Sequence, residues 1–347
     1  MKQTSGELYF FTEQDIDTGQ RSSYYKIGIV RDAEGRDSKA RLLEHQTGNP
    51  RRLVVEAVLE KVPAVEYVET NLHYLYARKR VMGEWIKLSP TELEEAIAKA
   101  NELKAEMEAN LPDIQRAEEL KKIASSGTKI APTHDSQYWF EEILAFNEVI
   151  DTCNNALEKY DEYLYEAIEK GVVAPGVAKL QPRSASKKFD ANLLKSKYPD
   201  LYKKFAKTTS EVKGSFRLAA ASEFVPDIST LQPEQVELIT EFTELVESAD
   251  HTLDTGFVLH GKYLAVLEVR QYAKYRAEIA DVKLRVLTGD SDGIEGICTW
   301  KRTLKESITF DKAALKAEHP DEYAECHTEG KATEALIVEP KIAEALT

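Results

Sequence analysis

The first ninety residues alternate between short apolar segments and longer amphipathic ones. Segments rich in aromatic and β-branched residues, bounded by polar stretches, predict β-strands. Four segments have this composition: 7–12, 24–30, 53–61 and 85–88. Two others, 37–47 and 64–80, space their apolar residues three and four apart, which predicts helices. The pattern therefore predicts helices packed on a small sheet.

After the fourth apolar segment the pattern becomes mainly helical. Ser89 and Glu92 have the spacing of a capping box, which predicts the start of a long charged helix that runs to about Asn110. Pro112 and the SSG at 125–127 predict a hinge or linker at its end.

A second long helix is predicted beyond residue 135 by an apolar stripe with helical periodicity. The stripe consists of Trp139, Phe140, Ile143, Phe146, Ile150, Cys153, Leu157, Tyr160 and Leu164. We interpret it as a core or helix-packing seam rather than as a ligand-binding surface.

The second half contains two similar segments at a constant offset of 121 residues. FDANLLKSKYPDLY at 189–202 and FDKAALKAEHPDEY at 310–323 align without gaps and are identical at seven of fourteen positions. Asp190 and Asp311 are each predicted to cap a short helix, and the Pro-Asp pair to end it and start the next. A structural role for the two aspartates is favoured over a catalytic one. A binding role for the duplicated surface remains open.

Length and composition indicate a globular protein with more than one domain. The chain has 347 residues, of which 42% are hydrophobic and 31% are charged. No apolar run approaches the roughly 20 residues that cross a bilayer, and the first six residues lack a signal-peptide pattern. We therefore expect a cytoplasmic protein.

Cysteine and histidine spacing favours neither disulfides nor a structural zinc site. Cys153, Cys298 and Cys326 are far apart, odd in number and outside any CxxC pattern, so they are predicted to be buried apolar residues. The five histidines beyond residue 130 have no metal-ligand spacing with one another. They are His134, His251, His260, His319 and His327.

Charge is distributed unevenly along the chain, whose net charge is -14. Residues 1–90 hold 14 Lys and Arg against 13 Asp and Glu, and the remainder holds 32 against 47. Such acidity argues against non-specific coating of nucleic acid along the whole chain. Any nucleic-acid surface should therefore be sought in the N-terminal segment.

Six sequence features of the first ninety residues are informative when their order along the chain is considered. They are Tyr9, Lys26-Ile27-Gly28, Arg41, QTGNP at 46–50, the pair Glu69 and His73, and GEW at 83–85. This set resembles the GIY-YIG nuclease superfamily, specifically its bacteriophage and fungal branch, in which the second signature reads K-I-G and the domain closes with G-E-W. The resemblance covers residues 6–90.

The resemblance implies an α+β fold and a metal-dependent DNA endonuclease of phage or prophage origin. A phage-encoded protein of this kind would be located in the cytoplasm of the bacterial host. A small α/β/α domain with a central antiparallel-type sheet would precede a mainly helical half that contains the duplication. The predicted boundaries are 1–90 for the nuclease-like domain, 91–130 for a helical linker, and 131–220 and 221–347 for two helical repeats.

Catalytic roles also follow from the resemblance. Glu69 occupies the place of the family's metal-binding glutamate and would bind Mg2+ or Mn2+, which suit a hard carboxylate ligand. Arg41 matches the arginine that grips the scissile phosphate, and Tyr9 matches the tyrosine of the first signature. His73 lies four residues after Glu69, on the same helical face, and is a candidate phosphate contact or proton carrier.

Lys26 stands where the wider superfamily has the tyrosine of its second signature. A protonated lysine can stabilise a phosphate or lower the pKa of a neighbouring phenol, but it cannot act as a base. The general base therefore remains open among Tyr9, Tyr25 and His73.

The residues predicted to contact DNA are Arg51, Arg52, Lys39 and Tyr25. Arg51 and Arg52 follow the turn predicted at 46–50 and would bind phosphates. Gly28 is expected to allow close backbone approach, either to DNA or to a neighbouring helix.

A weaker resemblance concerns residues 296–323, which look like the tail that follows the catalytic core in YqaJ-type phage recombination exonucleases. It implies a phage DNA-transaction protein whose helical half docks on DNA or on a partner. Two alternatives stay open. One is a non-catalytic factor that binds DNA or a phage recombination or host-defence protein. In the other, the acidic second half competes with DNA for a basic protein. Oligomerisation of the protein is also open.

Overall fold

The computed structural model describes residues 4–47, 49–220 and 232–339. The turn predicted at 46–50 includes Gly48, which lies outside the described residues, as do 221–231 and 340–347 of the predicted second repeat. In the described part of the chain, no helix is long and apolar enough to cross a membrane. Cys153, Cys298 and Cys326 are free and buried, as predicted.

The N-terminal region is a five-stranded sheet with helices on both faces. Its elements are β1 (Gly6–Gln14), β2 (Arg21–Arg31), α1 (Ser38–Gln46), β3 (Arg52–Val62), α2 (Val65–Leu75), β4 (Arg80–Met82) and β5 (Trp85–Lys87). The strand order is β3-β1-β2-β5-β4, and every pairing is antiparallel. The structure therefore confirms the predicted α+β class. The helix predicted over 64–80 is too long, because α2 ends at Leu75 and a single 3-10 turn leads into β4.

Alternation along β1 divides the core between the two faces of the sheet. Leu8 and Phe10 belong to a cluster that includes residues of α2. Tyr9 and Phe11 point to the opposite face, where Leu42 of α1 packs against them. The two faces therefore have separate cores, and the face beneath α1 carries the first signature tyrosine.

Helix α3 spans Pro90–Leu120 and starts with the predicted capping box at Ser89. It continues past Asn110, so the predicted end of this helix is wrong. Pro112 lies inside it and removes one backbone hydrogen bond. Ile114 and Leu120 are buried beyond the proline, and their burial holds the last turns against the protein.

The second half combines long helices with short strands. In chain order its elements are α4 (His134–Glu169), β6 (Ala178–Arg183), β7 (Lys187–Phe189), α5 (Ala191–Lys197), α6 (Pro199–Phe205), β8 (Ala206–Lys213), β9 (Arg217–Leu218), α7 (Pro233–Ser248), α8 (Leu253–Thr288), β10 (Gly293–Ile294), β11 (Cys298–Thr299), β12 (Thr303–Phe310), α9 (Lys312–Glu318), α10 (Pro320–Glu325), β13 (His327–Glu329) and β14 (Thr333–Val338). Helices α4, α7 and α8 share the largest core. Tyr275 and Ile279 of α8 also enter the core of the N-terminal sheet, which joins the two halves.

The two similar segments form matching helix pairs that face each other. Strand β8 pairs with β12, so that Phe310 lies opposite Ala206. Strand β13 pairs with β7, so that Phe189 lies opposite His327. An offset of 121 residues converts the first pair into the second, so the segments are related by an approximate two-fold axis. Their descent from one duplicated unit stays a prediction.

Both capping aspartates act as predicted. The Asp190 side chain accepts a hydrogen bond from the backbone N–H of Asn192 at 2.8 Å, and Asp311 accepts one from Ala314 at 3.0 Å. A small shared core, with Leu194 and Leu315 fully buried, holds the two helix pairs together.

Candidate functional site

Gly28 makes room for the ring of Tyr9. The two residues are direct partners across β1 and β2. A Cβ atom on Gly28 would lie 2.5 Å from the Tyr9 hydroxyl oxygen and 2.7 Å from its Cζ, so no larger residue fits without displacing the ring. The close approach predicted at this glycine is therefore made by Tyr9, and neither DNA nor a helix is needed to explain it.

Arg41 lies beside the Tyr9 hydroxyl on the face covered by α1. Burial raises the pKa of Tyr9 to about 12, although the neighbouring guanidinium opposes that rise. Arg41 Nη1 also donates to Glu44 at 2.8 Å. Its Nε is buried and has no hydrogen-bond partner among the described residues. Tyr9 is therefore a neutral phenol at physiological pH, next to a permanently charged guanidinium.

Lys26 lies on the same face of the sheet as Tyr9, because it is the cross-strand partner of Phe11. Only 8% of its surface is exposed. Its ammonium group forms an ion pair with the carboxylate of Glu84, the glutamate of the GEW sequence. Burial acts to raise the pKa of Glu84. The hydrogen bond from Lys26 and its positive charge act in the opposite direction, and the pKa of Glu84 lies below its usual value. The K-I-G lysine and the GEW glutamate thus form one partly buried charge pair.

Helix α2 reaches the site around the edge of β2. Strand β5 pairs with β2 only from Tyr24 to Lys26, so within the described residues the edge beyond Lys26 has no strand partner on that side. His73 occupies this edge, with Nε2 3.0 Å from the backbone oxygen of Ile27. A carbonyl only accepts, so Nε2 carries the proton and Nδ1 of the neutral ring is left as an acceptor. Burial lowers the pKa of His73, which keeps the ring neutral near pH 7.

Glu69 is the carboxylate of α2 that the resemblance assigns to the metal. Burial is the main cause that raises its pKa to about 7, and the negative charge of Glu84 raises it further. Arg31 and Lys26 act in the opposite direction without restoring an ordinary value. Glu69 is thus half-ionised near neutral pH and close enough to Glu84 for the two carboxylates to repel.

Two residues of this cluster were not predicted from the sequence. Glu84 was seen only as part of a closing motif, and its contact with Lys26 shows that it belongs to the site. His45 follows Arg41 by four residues on α1; its Nε2 is buried without a partner among the described residues. Burial is the main cause that lowers the pKa of His45, and the charge of Lys26 adds to it. The i,i+4 spacing from Arg41 was a usable signal for His45.

An open cleft of about 500 Å3 adjoins these residues. Its lining includes Tyr24, Lys26, His45, Asn49 and Trp85, so aromatic, amide and cationic groups face one space. Such a mixture suits a ligand that carries both flat rings and negative charge.

The four residues predicted to bind DNA fall into two groups. Arg51, Arg52 and Lys39 are exposed, and the two arginines adjoin the cleft through Asn49, whose Oδ1 accepts from the Arg51 backbone N–H at 2.9 Å. Tyr25 is only 6% exposed and packs in the core on the opposite face of the sheet. The structure therefore brings Tyr9, Lys26, Arg41, Glu69 and His73 together, and it does not bring Tyr25 to them.

The donor set around Glu69 fits a divalent cation only with help from a substrate. In the described part of the chain, no three His, Cys, Asp or Glu side chains form a group that could hold a metal ion. Glu69 and Glu84 are nevertheless two mutually repelling carboxylates, a charge arrangement that a cation relieves. Phosphate oxygens and water would have to complete the coordination.

The N-terminal region is thus a small α+β domain with acidic, basic and imidazole groups collected at the edge of its sheet. Residues 6–101 match the family model of the T5orf172 domain, a phage-associated domain related to the GIY-YIG nuclease superfamily. The match supports a nuclease-like, DNA-binding role for this part of the chain. No curated protein and no solved structure matches the chain.

Proposed function

We propose that the protein is a metal-dependent DNA endonuclease of phage or prophage origin that hydrolyses phosphodiester bonds. The observation that carries the proposal is the gathering of Tyr9, Lys26, Arg41, Glu69 and His73 around Glu84. Each of these groups is what phosphodiester cleavage requires: an acceptor for a water proton, cations for the phosphate and a carboxylate for a metal.

Glu69 is the residue that would hold Mg2+ or Mn2+, together with substrate phosphate. When bound, such a cation supplies charge stabilisation for the phosphate and the leaving oxygen. Because the pKa of Glu69 is about 7, this carboxylate is ready to exchange its proton for a cation at physiological pH.

His73 is the general base in this proposal. Its Nδ1 is the acceptor of the neutral ring, since Nε2 bonds to the oxygen of Ile27. Tyr9 is unsuited to the role because its pKa of about 12 keeps it protonated. Tyr9, which is only 1% exposed, instead positions Arg41.

Arg41 and Lys26 bind the phosphate. Arg41 would exchange its bond with Glu44 for a phosphate contact, and its unpartnered Nε offers a second donor of the planar fork. Lys26 provides a second cation whose position is fixed by Glu84. Arg51, Arg52 and Lys39 would bind flanking phosphates.

The test is cleavage of supercoiled and branched DNA with Mg2+ or Mn2+. Glu69→Gln and Arg41→Ala should each lower the cleavage rate at least about 100-fold, whereas Glu60→Gln, an exposed glutamate on β3, should leave it unchanged. No cleavage by the wild-type protein with either metal, or normal cleavage by Glu69→Gln, would disprove the proposal.

A non-catalytic factor that binds DNA or a protein in phage recombination or counter-defence is the second candidate. It is favoured by the satisfied Lys26–Glu84 and Arg41–Glu44 pairs, which need no substrate. DNA binding that survives both Glu69→Ala and chelation, with no cleavage product, would establish it. The resemblance of residues 296–323 to the YqaJ-type tail stays a prediction from the sequence, and a phage DNA context would suit either candidate.

A further inference from the structure

The first of the two similar segments, together with its flanking strands, is strongly basic in an acidic chain. Residues 178–218 hold eleven Lys and Arg against three Asp and Glu, a net charge of +8, whereas the whole chain has -14. This basic segment is not apparent in the charge count for residues 91–347, because that part of the chain is acidic as a whole. The N-terminal site does not explain why Lys and Arg are concentrated in this segment.

Five of the lysines are neutralised by acidic residues of the second segment and its flanking strands. The pairs are Lys179–Glu339, Lys187–Glu329, Lys197–Glu325, Lys204–Glu318 and Lys207–Asp311. In every pair the lysine comes from residues 178–218 and the acid from residues 310–339. Lys188 on β7 has no ion pair with any described residue, and neither has Lys305 on β12.

Strands β8 and β12 form a two-stranded ribbon whose two faces are both open to solvent. Residues 207–211 of β8 are all exposed. Leu304 and Ile308 on one face are 65% and 56% exposed. An isolated ribbon of this kind is at best marginally stable by itself. Here its ends are anchored, at Gly214 against the Lys301 backbone and at Phe310 in the shared helical core.

One face of the ribbon, which we call the lysine–hydroxyl face, carries three lysines, four hydroxyl residues and one glutamate: Lys207, Lys213, Lys305, Thr209, Thr303, Ser307, Thr309 and Glu211. These residues share a face because alternate positions of paired strands point the same way. The hydroxyls of Thr209 and Ser307 are 3.2 Å apart, as this arrangement requires. Lys213 forms its ion pair with Glu211 of the same face and remains 45% exposed.

The approximate two-fold axis repeats part of this face on a second ribbon, which is formed by β7 and β13. Lys207 lies opposite Thr309 in the first ribbon, and Lys188 lies opposite Thr328 in the second. An offset of 121 residues relates the two pairs with lysine and threonine exchanged. Each threonine hydroxyl also donates to the backbone oxygen of the lysine opposite, at 3.3 and 3.4 Å.

These features fit duplex DNA. The major groove is about 12 Å wide and admits a two-stranded ribbon, whose exposed lysines would reach phosphates while hydroxyls face base edges. Duplex DNA also has two-fold axes perpendicular to its length, which match the paired arrangement of Lys207 and Lys188. An acidic protein would match the lysines but not the small hydroxyl residues between them.

We propose that the lysine–hydroxyl face of the β8–β12 ribbon is a second DNA-binding surface that enters the major groove of duplex DNA. The proposal rests on the proposed function in that DNA is the substrate. It places the targeting role of the second half on a ribbon rather than on its long helices.

The test is the affinity for duplex DNA, measured by fluorescence anisotropy without metal over a range of salt concentrations. The variant Lys207→Gln, Lys213→Gln, Lys305→Gln should bind at least about tenfold more weakly, and its log affinity against log salt should flatten by about 2 to 3. The control Lys122→Gln, Lys129→Gln, Lys170→Gln changes the net charge equally at exposed sites elsewhere. The corresponding triple lysine-to-arginine variant should retain wild-type affinity.

Equal affinities of the ribbon variant and the control would overturn the proposal, and the face would then be a candidate site for a protein. The outcome is separable from that of the proposed function. Loss of affinity in the ribbon variant with no cleavage by the wild type would leave the ribbon proposal standing and remove the enzyme. Cleavage with unchanged affinity would do the reverse.

Discussion

At the scale of single residues, the site contains groups whose pKa values differ from their ordinary values. Glu69 is the clearest case, because burial and Glu84 raise its pKa to about 7. The folded protein therefore keeps a proton on this carboxyl that the unfolded chain releases near pH 4.5. Stability must then fall as the pH rises from about 4.5 to 7. This is the behaviour of a residue retained for chemistry at a cost in stability.

Replacing Glu69 by glutamine should remove that cost. We expect Glu69→Gln to raise the free energy of unfolding by about 1–3 kcal/mol at pH 8 and to have little effect near pH 4.5. Urea unfolding at the two pH values measures it, with Glu60→Gln as the control. An equal effect of Glu69→Gln at both pH values would contradict the assigned pKa.

Gly28 should be irreplaceable because of Tyr9. Gly28→Ala places a methyl group 2.5 Å from the Tyr9 hydroxyl oxygen and should lower the free energy of unfolding by about 1–3 kcal/mol. The same change made in a Tyr9→Leu background should cost clearly less. Thermal unfolding of the four proteins measures the coupling, and an equal cost in both backgrounds would show that the ring is not the obstacle.

At the scale of elements, the sequence was most informative where a segment's own pattern decides its structure. Strands β1, β2, β3 and β5 follow from apolar and β-branched runs, and the start of α3 follows from Ser89 and Glu92. The end of α3 was not predictable, because burial of Ile114 and Leu120 outweighs the local effect of Pro112. Likewise, Lys26, Arg41 and Glu69 could be named from the ordered set. Their link through Glu84 depends on how β5 pairs with β2, which no local pattern encodes.

The two helix pairs show the same limit. Their similarity is visible in the sequence, but their pairing and its polarity depend on contacts between residues more than one hundred positions apart. Lys204 and Glu318 illustrate it, with Nζ and Oε2 2.5 Å apart. In every one of the five ion pairs the cation lies in residues 178–218 and the acid in residues 310–339. Charge therefore favours pairing of the first helix pair with the second over pairing of two identical helix pairs.

A charge exchange tests this polarity. Lys204→Glu should destabilise the protein by about 0.5–1 kcal/mol through repulsion with Glu318, and adding Glu318→Lys should restore most of the loss. The effect is small because both side chains are about half exposed, so it should shrink further in about 1 M salt. Chemical unfolding of the single and double variants measures it. A double variant no more stable than the single one would rule out a direct contribution of the pair.

At the scale of the whole molecule, an acidic protein carries two cationic regions on different elements. One is the N-terminal site with its cleft, and the other is the ribbon of the second half. Helix α8 belongs both to the helical core and to the core beneath the N-terminal sheet.

The most direct test of the account is the single-turnover rate of DNA cleavage by the wild type and by Glu69→Gln, from about pH 5.5 to pH 8.5 at subsaturating Mn2+. The wild-type rate should rise up to about tenfold per pH unit and level off above about pH 7, where Glu69 is ionised. Glu69→Gln, although still able to bind DNA, should cleave at no pH in this range. Cleavage by the variant at the wild-type rate, or no cleavage by the wild type at any pH, would contradict the account.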